Sequence, residues 1–194
     1  MKKALICALA TLALAGSASA DVILAPGSNW EYTFVDPTGS STWNTTTGGW
    51  AVGPAPFGNE FAGDFGYSSG TFWGADAWGN MDDDLWVRTT LDLTGYDLST
   101  VAWDLGVDNG FSLFLNGILI QSTNAEGYTW RWEYSGTFGT AALAGVNVLA
   151  LALEDHGGLT AFDMQVTGTP VPEPSMLGLL GLGLMALALR RRTR

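Results

Sequence analysis

Apart from Cys7 the chain has no cysteine, it has one histidine, His156, and it carries almost no positive charge away from its two ends. Cys7 lies in the N-terminal apolar stretch, so the remainder has no disulfide, no thiol nucleophile and no cysteine-based zinc site. That remainder must hold together by packing and hydrogen bonds. Lys2 and Lys3 open the chain, and Arg190, Arg191, Arg192 and Arg194 close it. Between them Arg88 and Arg131 face 18 of the 19 acids, two cations against eighteen anions, a formal charge of −16. Such a surface repels phosphate backbones and makes nucleic acid a very poor partner. It suits solubility outside the cell, with binding of divalent cations as the competing reading. A long hydrophobic run is also missing. The longest stretch near the C-terminus, 176–189, would make a helix of roughly 21 Å, against a hydrocarbon core of about 30 Å.

The ends read as targeting segments. Residues 1–20 have the plan of a secretory signal: Lys2 and Lys3, an apolar stretch over 4–15, then Ala18-Ser19-Ala20 as a small-residue cleavage site. Cleavage is expected between Ala20 and Asp21 by signal peptidase. Ser17 stands where a lipoprotein would need cysteine. At the other end, Val171-Pro172-Glu173-Pro174 precedes the short apolar span, which Gly178, Gly181 and Gly183 weaken further, and then Arg190-Arg191-Arg192. The arginines belong on the cytoplasmic side, which leaves residues 21–170 outside.

This C-terminal arrangement resembles the PEP-CTERM sorting signal, with all three of its parts in order. The resemblance implies recognition by an exosortase at Val171, Pro172, Glu173 and Pro174, retention by Arg190, Arg191 and Arg192, and removal of the tail. It implies transient anchoring in the membrane and then a place on the cell surface or in an extracellular polysaccharide matrix. An ordinary single-span anchor is the plainer alternative.

Between the ends, apolar residues alternate with period two. Leu85, Val87, Leu91 and Leu93 share one face, and Trp86, Arg88, Thr90 and Asp92 the other. The same alternation runs through Val101, Trp103, Leu105 and Val107, through Leu149, Leu151 and Leu153, and through Phe162, Met164 and Val166. Trp30, Tyr32 and Phe34 predict an early strand, and 128–138 an aromatic arm. Asn116-Gly117 is a favoured two-residue hairpin turn. The fold class expected is all-β: a jelly-roll β-sandwich over 21–170, flanked by an N-terminal signal helix over 1–20 and a short C-terminal transmembrane helix at 176–189 within a sorting segment over 171–194. The segments around Gly49-Trp50, Leu85-Trp86-Val87-Arg88, Asp108-Asn109-Gly110, Asn116-Gly117 and Asn147-Val148-Leu149 resemble the galactose-binding-like jelly roll, a fold that includes many carbohydrate-binding modules. The resemblance rests on structural motifs and bears on fold more than on function.

Exposed indoles are the usual platform for sugar rings. Trp73 and Trp78, in a Gly-rich aromatic stretch, and Trp130 and Trp132, on one face of the predicted arm, are the candidate glycan-binding residues; core packing is the competing reading. Asp82-Asp83-Asp84, with Asp76 nearby, offers hard oxygen ligands suited to Ca²⁺, against a plain solvated acidic loop. Gly66-Tyr67-Ser68-Ser69-Gly70 has the letters of a nucleophile elbow without the strand and helix it needs. No catalytic residue is therefore assigned. The expected function is that of an exported, exosortase-processed surface or matrix protein without enzymatic activity, with exopolysaccharide as a candidate partner. A secreted carbohydrate-active enzyme, or its accessory binding module, is the alternative.

Overall fold

Period-two alternation gives each long strand one apolar face, and stacking two sheets buries those faces against each other. The structure, a computed structural model, describes residues 19–59, 70–74, 84–124, 131–157 and 159–172, with Leu180, Gly181, 183–185, Leu187, Ala188 and Arg191. The first sheet has the order β10 (Tyr134–Thr137), β7 (Tyr96–Asp108), β12 (Ala161–Pro170), β4 (Phe57–Gly58), β5 (Thr71–Phe72), and β1 (Asp21–Leu24) also pairs with β12. The second has the order β3 (Ala51–Pro54), β2 (Asn29–Thr33), β6 (Leu85–Asp92), β11 (Val146–Leu153), β8 (Phe111–Leu115), β9 (Ile118–Thr123). Neighbours are antiparallel except for the parallel pair β4 and β5. This is an all-β sandwich.

β12 organises the first sheet. One edge runs against β7, with Ala161 opposite Asp108 and Val166 opposite Trp103. Its other edge is shared end to end: Ala161 pairs with Gly58 of β4, and Gly168 with Asp21 of β1. The apolar residues picked out by alternation on β6, β7, β11 and β12 are all buried in one core, together with Phe111, Leu113 and Leu115 of β8. Each fully buried side chain of this kind stabilises by about 1.5–3 kcal/mol. Aromatic edges cross the gap between sheets, Trp30 on Phe162 at 5.2 Å between centroids and Phe111 on Tyr134 at 5.0 Å.

The Asn116-Gly117 turn forms as expected, with φ of 52° and 78°, between Leu115 and Ile118. Two expectations need correction. β2 ends at Thr33 and leaves Phe34 exposed beyond it. Within the described part of the aromatic arm, 131–138, only Tyr134–Thr137 forms a strand (β10), and Trp132 sits in a turn at φ 62°, not on a strand face; 128–130 lie outside the described residues.

The outer face of the second sheet is also covered. Trp43 and Trp50, from 34–50, lie over Trp86 and Ala150. Arg88 holds this strap down. Its Nε binds Glu31 Oε2 at 2.8 Å, and Nη1 and Nη2 donate to Trp43 O at 3.0 Å and Gly48 O at 2.6 Å. The guanidinium lies 3.7 Å from the Trp50 ring centroid, and Gly48 N donates back to the Glu31 carboxylate at 2.7 Å. No helix among the described residues is long and apolar enough to cross a membrane; Leu180, Leu184, Met185 and Leu187 are helical and exposed.

Candidate functional site

Strand directions bring the links after β7 and β11 to one end of the sandwich, with the start of β6 beside them. There the two links are stitched together by their backbones. Asn109 N donates to Glu154 O at 3.0 Å, and Glu154 N to Gly110 O at 2.9 Å. His156 N donates to Asn109 Oδ1 at 2.9 Å, Asp155 N to Asp84 Oδ1 at 3.2 Å, and Gly157 N to Asp155 Oδ1 at 2.7 Å. Gly110 is the residue this stitch requires, because a Cβ there would meet the Glu154 carboxylate at 2.5 Å and Thr123 O at 2.8 Å.

The result is a cluster of acids partly withdrawn from water. Asp108 is 3% exposed, and its Oδ1 accepts no hydrogen bond among the described residues. Burial first, and then the charges of Asp155 and Glu133, push its carboxyl up to about 6, while His156 pulls it the other way. His156 Nε2 lies 3.3 Å from Glu154 Oε2. Desolvation also raises Asp163, although Gly27 and Met164 donate their N–H groups to it. An acidic, hydrogen-bond-accepting end of this kind suits donors: hydroxyls, cations or protons. Among the described residues no three His, Cys, Asp or Glu side chains are grouped so as to hold a metal ion.

The residues picked from the sequence fall unevenly around this end. Asp84 is there, accepting the Asp155 N–H, whereas Asp76, Asp82 and Asp83 lie outside the described residues. Trp132 is half-buried in its turn, with the Arg131 guanidinium 4.9 Å from its ring centroid. Trp78 and Trp130 lie outside the described residues. Trp73 is a correction. It is fully buried in the core, so neither indole face is open to a sugar; its backbone N–H donates to Gly58 O at 3.0 Å and its backbone carbonyl accepts from Thr160 Oγ1. Neither Asp108 nor Asp155 stands out in the sequence as a site residue. Alternation along β7 places Asp108 opposite the core residues, and its burial comes from tertiary contacts that alternation does not show.

The points where the two processing segments join the sandwich, Asp21 and Pro170, lie at the opposite end. Asp21 begins β1 and Ala20 before it is exposed; Ala18 lies outside the described residues. Pro170 ends β12, and Val171 N donates to Gly95 O at 2.7 Å. Val171 and Pro172 are exposed and Arg191 is helical; Glu173, Pro174, Arg190 and Arg192 lie outside the described residues.

Comparison with known proteins bears on both ends. Residues 170–192 match the PEP-CTERM protein-sorting motif. No curated protein matches the chain. Among solved structures, the β-glucuronidase of Ruminococcus gnavus superposes with a TM-score of 0.51 at 14% identity, over 78% of this chain and 29% of the enzyme. A β-glucuronidase from an uncultured Clostridium gives 0.51 at 11% identity, again over 78% and 29%. Less than a third of each enzyme is matched, and at such identity the likeness is one of fold. A β-sandwich that runs straight into a PEP-CTERM motif is an exported protein sorted through the membrane and processed by an exosortase.

Proposed function

We propose that this protein is a non-enzymatic component of the cell surface or extracellular matrix, and that its sandwich binds carbohydrate of an exopolysaccharide matrix at the Asp108 end. The observation that carries this reading is the continuity of β12 with the sorting motif: what the motif delivers is the sandwich. Trp132, half-buried beside the acids, offers a partial stacking surface next to hydrogen-bond acceptors for sugar hydroxyls. The acidic surface favours neutral glycans over anionic ones.

A secreted carbohydrate-active enzyme is the rival reading. It draws on Asp108, whose proton is held to about 6 beside Asp155 and Glu133 in the manner of a general acid. Against it, Asp108 is too deeply covered for a glycosidic oxygen to reach. The discriminating experiment is a glycan array with residues 21–170, with and without calcium, followed by incubation of every bound glycan with the protein. Binding in the micromolar to millimolar range is expected, about −4 to −8 kcal/mol, with Trp132→Ala weakening it and no glycan shortened. Hydrolysis of a bound glycan overturns the non-enzymatic reading, and an array without a hit overturns the carbohydrate reading.

A further inference from the structure

The sorting motif does not begin on a linker. Its first matched residue, Pro170, is the last residue of β12 and sits opposite Tyr96. The next residue, Val171, donates its N–H to Gly95 O in the turn between β6 and β7. One residue before Pro170, Thr169 N donates at 2.8 Å to Thr100 Oγ1, where the register of β12 against β7 shifts. Pro170 itself brings no N–H. On the other edge of β12, pairing with β1 stops at Gly168. Residues 169–171 are therefore held from one side only, whereas 166–168 just before them are held from both.

An enzyme that reads an extended segment takes up the backbone hydrogen-bonding groups of that segment. In the folded protein the N–H of Val171 is engaged by Gly95 O, and the end of β12 stands immediately behind it. Strand ends open locally at low free energy, and cleavage of a protected segment follows the population of the opened form. We infer that the folded sandwich withholds the start of its own sorting motif, and that tail removal is gated by the peeling of residues 169–171 from β7 and the β6–β7 turn. This rests on the exosortase reading. The gate has a defined stop at Gly168, where β1 takes hold. Its strength sets the fraction of protein competent for processing at any moment.

The test is a pulse-chase in the native host with the full chain, following loss of the tail by mass. Inserting Gly-Ser-Gly-Ser-Gly between Pro170 and Val171 carries the motif off the sheet while its first glycine takes over the bond to Gly95. Tail removal is expected to speed up about tenfold, the weight of one to two ordinary hydrogen bonds. Thr100→Val removes the bond to Thr169 and is expected to give a smaller increase of about two- to fivefold. Conversely, Asp97→Cys with Thr169→Cys, a cross-strand pair ahead of the motif, locks the gate. Processing is expected to stop in the oxidised protein and resume on reduction. Circular dichroism of the purified variants checks that all three keep the sandwich. If the linker insertion and the cross-link both leave the rate unchanged, the gate is refuted. Failure of the exosortase reading looks different: the wild-type tail then stays on, or its loss is indifferent to alanines at Pro172, Glu173 and Pro174.

Discussion

Arg88→Met removes the centre of the strap on the outer face of the second sheet. Methionine keeps most of the length and apolar volume of the arginine stem, so the variant tests the head group. The loss comprises the ion pair with Glu31, the bonds to Trp43 O and Gly48 O, and the stack on Trp50. Removing one partner of a buried pair costs about 3–5 kcal/mol. Arg88 is 4% exposed and Glu31 20%, and Glu31 keeps the Gly48 N–H, which places the expectation near the lower end, about 3 kcal/mol. At about 2–4 °C per kcal/mol for a domain of this size, the unfolding midpoint falls by roughly 6–12 °C. Thermal unfolding followed by circular dichroism measures this, and tryptophan emission reports whether Trp43 and Trp50 have gained water. Adding Glu31→Gln to Arg88→Met is expected to recover about 1 kcal/mol, because the abandoned carboxylate is then neutral. A loss below about 1 kcal/mol for Arg88→Met, the value of an exposed pair, would refute the view that this arginine is a buried clamp.

Asp108 sets a pH dependence of known sign. Its carboxyl is raised in the fold from 3.8 to about 6, so the folded state holds the proton more tightly than the unfolded chain. The stabilisation is complete below about pH 4 and is lost as pH rises through about 6, by up to roughly 3 kcal/mol. Asp108→Asn is therefore expected to match the wild type near pH 4 and to exceed it at pH 8 in urea unfolding; a variant weaker than wild type at pH 8 contradicts this. Trp73→Ala is expected to lose about 3–5 kcal/mol as a core truncation, whereas Trp132→Ala stays within about 1 kcal/mol, and equal losses would place both rings in the core. Asn147 is fully buried, its amide donating to Leu143 O and Gly145 O and its carbonyl oxygen accepting from Leu143 N and Asn116 Nδ2. Asn147→Leu orphans those groups and is expected to cost about 2–4 kcal/mol, read from the urea midpoint.

Strands that obey a strict alternation were legible in the sequence, because burial on one face writes itself into period two. Leu149, Leu151 and Leu153 are buried as their pattern requires, and Asn116-Gly117 closes its hairpin with both residues at positive φ. The sorting motif was legible for another reason: it is read as a linear segment, so its residues are consecutive. What did not show was anything set by residues distant in sequence. Arg88 alternates with Val87 and so reads as solvent-facing, yet Trp43, Gly48 and Glu31, between 40 and 57 positions away, bury it. Asp108 likewise reads as a turn residue until the 154–157 link is laid across it. Trp73, in a Gly-rich stretch, reads as part of an exposed loop, but the adjoining strands β4 and β5 carry it inward.

The place where the chain leaves the sandwich also decides how the domain bears force. β12 runs the length of the first sheet, and its ladder bonds to β7 lie across the strand direction. When tension enters through Val171 and leaves through a partner gripped at the Asp108 end, it runs along β12, and the rungs to β7 are sheared together. When tension acts between Asp21 and Val171, which border the same corner, it separates β1 from β12 one rung at a time. The same domain is stiff to a pull along its length and opens like a zip to a pull between its ends.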